Sequence, residues 1–463
     1  MAEPLPTDNP YCPAGALLDR FARHAATPSQ VLAEQERRLA ALEPLLRCYI
    51  THDAAGAARQ AQAADAAWRD GRAQPLLGLT LGVKDLYDVQ GLPTTGGSAA
   101  YGQEPAARDA TVVARLRRAG AVITGKLNTE ELAFGVISAP TRNPYDTGHI
   151  SGGSSGGSAA ALAAGLVHLS IGTDTAGSIR IPAALCGVVG LKPTQGLVPR
   201  TGVMPLSDSL DHAGPMARDV DGARRLLQVM AGFDPDDPLS LPALPPAPPP
   251  LDGLGVPWAW FRDELDGDAL DLFRHAIAEL AAMGLRERDL DWPPPEEFAG
   301  LQARIRAPET YLTHRDAVED RPERFGEGLV ERIVAGRAVE GVDYVLAQRQ
   351  RHHVRRALEE DLAQRGVGLV ALPTTPLPAP PAGQSRVLLR DGRELSVRDA
   401  LIRYTAPFNV TGWPALSLPL GIGRDGLPRG LQLVGRAFDD GRLLDLAEEL
   451  ARRLPPLPRP PAA

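Results

Sequence analysis

A chain of 463 residues, 44% hydrophobic and with a formal net charge of −8, is long enough for one large domain or two to three ordinary ones around a sizeable core. Its acidic balance argues against an extended nucleic-acid surface, which would carry a basic face, and leaves small molecules and proteins as partners. No window reaches the roughly 18 uninterrupted apolar residues of a membrane span, and "MAEPLPTDNPYC" lacks the basic-then-apolar pattern of a leader, so a cytoplasmic protein is expected.

In chain order, "LGLTLGVKD" reads as a strand, "DATVVARLRRAG" as a helix closed by Gly120, and "AVITGKL" as a second strand. "GGSAAALAAGLV" opens a small-residue helix, "HLSIGTD" is a strand, and "GSIRIPAALCG" begins another helical turn. This alternation predicts an α/β fold with a large, mostly parallel or mixed twisted sheet covered by helices. The proline-rich connector Leu241 to Pro250 marks a boundary. After it, 251–365 reads as a helical insertion lobe, and strand patterns return at "VGLVALPTTP", "PALSLPLGIG" and "GLPRGLQLVGR" before the closing helix "DDGRLLDLAEELARRL". The expectation is one domain over 1–463, its core about 60–240 and 366–455.

Cys12, Cys48 and Cys186 have no metal-like spacing and read as buried or incidental thiols. Among 49 basic residues only Lys84, Lys126 and Lys192 are lysines. Arginine serves wherever a plain charge suffices, which singles out the three lysines, because only lysine can lose its proton at working pH.

The stretch "HISGGSSGGSAA", 149–160, admits several readings. A linker would not open a helix in mid-domain, and the glycines fit neither a Walker loop nor G-x-G-x-x-G. "GGSSG" matches the G-x-S-x-G nucleophile elbow, with His212 as partner, but a turn rather than a strand precedes it. A second serine, Ser178 in "GTDTAGSIRIP", lies 24 residues on, where a strand passes into a helix. There the backbone N–H groups of Thr175, Ala176, Gly177 and Ser178 can converge as an oxyanion hole.

Taken together, "VKD", "GKLNTEELAFG", "SGGSSGGSAAALAAG", "GTDTAGSIRIPAALCGVVGLKPT", "SLDHAGPM", "YTAPFNVTGWPALSLPLG" and "GLPRGLQLVGR" resemble the amidase signature family of serine hydrolases, in order and with its spacing. The resemblance implies that family's fold and a Ser–cis-Ser–Lys triad, with Ser178 the nucleophile, Ser154 the bridging serine and Lys84 the base. Such a base must be neutral, which takes about 4 kcal/mol of desolvation to bring a lysine from about 10.4 to near 7. Asp85, next along the strand, points to the opposite face and leaves that shift intact. Ser155, Asp174 and Arg180 are expected to support the site, and Lys126 and Lys192 to pair with carboxylates or carbonyls near it. Phe134, Gly135, Ile137, Tyr404, Phe408 and Trp413 are candidate pocket walls.

One departure is Ala176, where members of the family commonly have Gly. "TAGS" is similar to the allophanate-hydrolase branch, which points to carbamates or ureido compounds beside amides and anilides. No metal or cofactor is implied, and a monomer or homodimer is expected. Two alternatives are the A subunit of a glutamyl-tRNA(Gln)-type amidotransferase and a binding protein on an inactive hydrolase scaffold.

Overall fold

The computed structural model describes residues 10–243 and 245–461. Residues 1–9, part of the stretch read for a leader, and residue 244 of the connector lie outside them. Among the described residues thirteen strands occur in chain order: β1 (Tyr49–His52), β2 (Thr80–Lys84), β3 (Val122–Leu127), β4 (Leu169–Asp174), β5 (Val189–Lys192), β6 (His212–Ala217), β7 (Gly253–Val256), β8 (Arg286–Asp289), β9 (Val367–Pro373), β10 (Arg386–Leu388), β11 (Glu394–Ser396), β12 (Ala415–Ile422) and β13 (Pro428–Gly435). All but the β10–β11 hairpin join one sheet in the order β1-β3-β2-β4-β6-β5-β12-β13-β9-β7-β8, with helices on both sides.

The sheet is mixed, as expected, but not mostly parallel. Parallel pairing is confined to β3-β2-β4 and β9-β7-β8, and every other neighbouring pair is antiparallel. The reason lies in the connections. β5 and β6 run antiparallel to each other, as do β12 and β13, and none of these pairs uses the helical crossover that parallel neighbours require. β2, β3 and β4 are buried at every position, which is why they read as nearly continuous apolar runs.

The segment 251–365 is not purely helical. β7 and β8 extend the main sheet, joined by the helix Gly267–Ala282, and only from Pro295 onward is the segment helical. β8 reads "RERD" with all four residues exposed, so the edge strand has no apolar alternation to announce it. β1, from outside the expected core, covers the other edge.

Helices Pro295–Asp320 and Gly341–Gln364 are tied by polar contacts to the segments around Gln195, Ser209 and Val410. Glu309 accepts from the Ser209 hydroxyl at 2.7 Å, and Arg351 donates to Val410 O at 2.8 Å and to Gln195 Oε1 at 2.8 Å. The three cysteines are free and buried. Among the described residues no helix is long and apolar enough to cross a membrane.

Candidate active site

Lys84 ends β2 and is fully buried. Its Nζ donates to Ser154 Oγ at 2.7 Å and to Thr173 Oγ1 at 2.8 Å. Thr173 lies within the quoted "GTDTAGS" stretch, but a threonine there carries no signal of this contact by its residue type. Strand pairing places it, because β2 and β4 are parallel neighbours with Val83 opposite Ile171, so their C-terminal residues emerge together. Burial lowers the Lys84 amine to about 7, against the opposing pull of Asp174, Asp211 and Glu130. Asp85 turns away, as strand geometry requires, and pairs with Lys126 at 2.7 Å. Lys126 also donates to Pro93 O at 2.9 Å. Lys192, also fully buried, donates to a carbonyl, Pro193 O at 3.2 Å.

The Gly/Ser run is ordered and buried throughout its 150–160 stretch. The Gly153–Ser154 peptide is cis. The Ser154 carbonyl accepts from Glu130 N at 3.1 Å and Ser138 Oγ at 3.0 Å, which fixes the hydroxyl toward Lys84. The helix Gly156–Ala163 packs without a side chain larger than leucine, and at Gly157 a Cβ would sit 2.5 Å from Asn128 N. Ser155 reaches beyond its own loop. Its N–H donates to Ser178 O at 3.1 Å and its hydroxyl to Thr173 O at 3.3 Å, tying the run to the turn that carries Ser178.

That turn is built on Asp174. Its Oδ1 accepts from Gly177 N at 2.8 Å and its Oδ2 from Ile179 N at 3.1 Å. The Gly177 N–H is therefore already engaged, which removes it from the four donors expected and leaves the N–H groups of Thr175, Ala176 and Ser178 as candidates. Gly177 has φ 128°, and a Cβ there would collide with Thr405 Oγ1. Ala176 is not among the residues with positive φ, so its methyl is accommodated without strain, and its carbonyl accepts from Thr405 Oγ1 at 2.6 Å.

Arg180 grips Asp174 through Nε at 3.0 Å and Nη2 at 2.8 Å, both side chains fully buried. It also donates to Gln432 Oε1 and Asn409 Oδ1, each at 2.6 Å, while Asn409 Nδ2 donates to Asp174 Oδ1 at 2.8 Å. Sequence reasoning misses Asn409 and Gln432, since they lie more than 200 residues from the turn they complete. Burial alone would raise the Asp174 carboxyl, but the Arg180 guanidinium and the Asn409 amide hold it below the usual carboxylate range. Asp174→Ala would strand a buried guanidinium and should cost about 3–5 kcal/mol in urea unfolding. A loss under about 1 kcal/mol, the value of an exposed pair, would contradict this account.

Ser178 is 6% exposed and lines a small cavity with Phe134, Gly135, Thr175 and Ala176. The other expected walls lie elsewhere. Tyr404, Phe408 and Trp413 are buried in the main core, where the Tyr404 hydroxyl is taken by Glu264 and Trp413 lies against Trp292. Ile137 packs in a neighbouring cluster with its N–H on Glu130 at 3.2 Å. Aromatic residues near a site's sequence are more often core than lining, because burial rewards their area wherever the fold closes. The walls come instead from Val136, Leu206, Gln302, Arg306, Arg398 and Ile402.

His212, the partner an elbow at Ser154 would need, is beside Asp174 across β4 and β6. Its Nδ1 lies 2.7 Å from Leu210 O and its Nε2 has no partner, so it relays nothing to Ser154 among the described residues. Removing a true general base costs about 10²–10⁴-fold. His212→Ala should lower kcat by much less than that, as steady-state kinetics on the folded variant will read.

Residues 30–444 match the protein-family model for Amidase. An amidase of Pseudomonas putida is 42% identical over 394 residues, covering 83% of both chains. The corresponding polypeptide of the glutamyl-tRNA(Gln) amidotransferase of Roseiflexus sp. (strain RS-1), its A subunit, is 39% identical over 462 residues, covering 91% of this chain and 93% of its own. A solved amidase structure superposes with a TM-score of 0.86 at 36% identity, covering 96% of this chain and all of that one.

Proposed function

The chain belongs to the amidase signature family, and on that premise we propose that it hydrolyses small amides through an acyl-enzyme on Ser178. The observation that carries the reading is a lysine brought near neutrality by burial, 2.7 Å from a serine that the Ser155–Ser178 contact ties to a cavity-lining hydroxyl. A serine hydroxyl needs a base to become a nucleophile. Ser178 Oγ attacks the carbonyl carbon as its proton passes to Ser154 and that of Ser154 to Lys84. The resulting oxyanion lies against the N–H groups of Thr175, Ala176 and Ser178. The C–N bond breaks as Lys84, through Ser154, returns a proton to the departing nitrogen. Water, deprotonated along the same path, then releases the acid.

Anilides, carbamates and ureido compounds share the carbonyl and a nitrogen leaving group, and belong to the substrate range proposed. A second reading, release of ammonia from glutamine within an amidotransferase, is favoured by the Roseiflexus relative's near-complete coverage. A binding role on an inactive scaffold is disfavoured by the intact Lys84–Ser154 contact. Purified protein assayed against amides, carbamates, ureides and glutamine decides among them. Turnover of glutamine alone would replace the first reading by the second, and no turnover together with no labelling of Ser178 by a fluorophosphonate would overturn both.

A further inference from the structure

At the end of the sheet away from Ser178 the chain encloses a cavity of about 600 Å³ that acyl transfer leaves unused. Strand β6 runs from His212, beside Asp174, to Ala217, and the next residue, Arg218, lines this cavity. Six strand residues put about 20 Å between the two places. The outer wall is the C-terminal tail that follows the helix Asp440–Arg453. Tyr145 holds it down, its hydroxyl donating to Pro458 O at 3.1 Å.

Three guanidinium groups converge on the Tyr11 ring at the mouth of this cavity. Those of Arg459, Arg38 and Arg218 lie 4.8, 5.1 and 5.8 Å from its centre. Arg38 is spent on Ala164 O at 2.8 Å and the Tyr11 hydroxyl at 2.7 Å. Arg218 gives its Nη1 to Val167 O at 2.6 Å and Leu162 O at 3.3 Å, while its buried Nε has no hydrogen-bond partner among the described residues. The acids of the lining are committed elsewhere. Asp219, which attracts Arg218 without forming an ion pair with it, caps Gly222 N at 2.7 Å, Asp221 pairs with Arg225 at 2.8 Å, and Glu448 pairs with Arg452 at 2.6 Å.

A guanidinium cannot shed its charge, so a partly buried cluster of them with no carboxylate in contact is stabilised by an anion. The rest of the lining asks for something different. Val188, Val220, Leu418, Leu454 and Leu457 are apolar, and a cavity of this size that pairs apolar walls with a few placed polar groups is the usual form of a small-molecule site.

We propose that this cavity binds an amphiphilic organic anion, an aryl or short-alkyl body carrying one carboxylate or sulfonate, with the charged group on Arg218 and the body under the tail at Leu457. The charge-assisted hydrogen bond supplies the anion that Arg218 lacks, and the tail closes over the apolar part. The site is separate from the pocket of Ser178 and does not depend on which serine attacks.

The test titrates anilinonaphthalene sulfonate into the purified full chain and follows its fluorescence. Wild type should bind it saturably, and naphthoate should displace it about tenfold more tightly than naphthalenemethanol, which has the same rings and no charge. Arg218→Gln should abolish that preference, and Arg218→Lys, which keeps the charge but loses the fork, should retain part of it. Leu457→Glu adds a like charge at the tail and should weaken both anions about tenfold more than Leu457→Ala, which trims the apolar contact alone. Because Arg218 also supports Val167, the tail variants carry the test on their own if Arg218→Gln does not fold. Absence of saturable binding, or binding unchanged in Leu457→Glu, would overturn the site. Equal weakening by the two tail variants, or displacement by naphthalenemethanol as tight as by naphthoate, would overturn the recognition of an anion.

Discussion

Ser178→Ala should lower turnover by about 10⁴- to 10⁶-fold, the scale seen when the nucleophile of a serine hydrolase is removed. The residue left behind retains the backbone donors at positions 175, 176 and 178 but has no atom to form the acyl-enzyme, and oxyanion stabilisation alone sustains only residual catalysis. The fold should tolerate the change. What ties this residue to its surroundings is its carbonyl, which accepts from Ser155 N, and that contact survives the loss of a hydroxyl. Thermal unfolding should therefore move by no more than a few degrees, as expected for a substitution that creates neither a cavity nor a stranded charge. Intact-mass measurement after fluorophosphonate treatment provides the second readout: one adduct in wild type, none in the variant. An adduct on another serine with turnover preserved would displace Ser178 and revive Ser154 as the attacking group.

The proposed triad could be picked out because Lys84, Ser154 and Ser178 sit in short contiguous stretches whose residue types are hard to explain otherwise. A lysine ending an apolar strand in a chain with two other lysines, a cluster of small residues opening a helix, and a serine at a strand-to-helix turn each carry a local signal. The Asp174–Arg180 pair was legible for the same reason, being six residues apart on one turn. What escaped depends on pairing across the fold. Nothing in "SIGTD" marks Thr173 until β4 lies beside β2, and nothing in "YTAPFNVTGW" tells that Tyr404, Phe408 and Trp413 face the core while Asn409 faces Asp174. "LQARIRAPE" reads only as part of the helical insertion, and its placement beside Ser178 is what turns Gln302 and Arg306 into cavity residues. The parallel bias of the expected sheet failed similarly, since β5 and β6 give no strand reading in the sequence and strand spacing does not report the direction in which β12 and β13 pair.

Lys84→Met should reduce kcat/KM by about 10³-fold or more, since it deletes the proton acceptor and breaks the contact that orients Ser154. Lys84→Arg should be as inactive near pH 7, because a guanidinium keeps its charge and cannot take a proton. The wild-type profile supplies the complementary evidence. With the amine lowered to about 7 by burial, kcat/KM should rise with pH through that value as the base becomes neutral, and the rising limb should vanish in both variants. Stability carries the same signature with a definite sign. The folded-state value lies below the ordinary 10.5, so between about 7 and 10.5 the unfolded chain binds more protons and wild-type stability gains with pH in that window. Below about 7 the gain is lost, because folding must then bury a charged amine. Lys84→Met removes that gain, so the difference in unfolding free energy between variant and wild type should shift in favour of wild type as pH rises from about 7 to 10. A difference flat across that range, or an active Lys84→Arg enzyme at pH 7, would show that the amine is charged in the folded protein and that some other group takes the proton of Ser178.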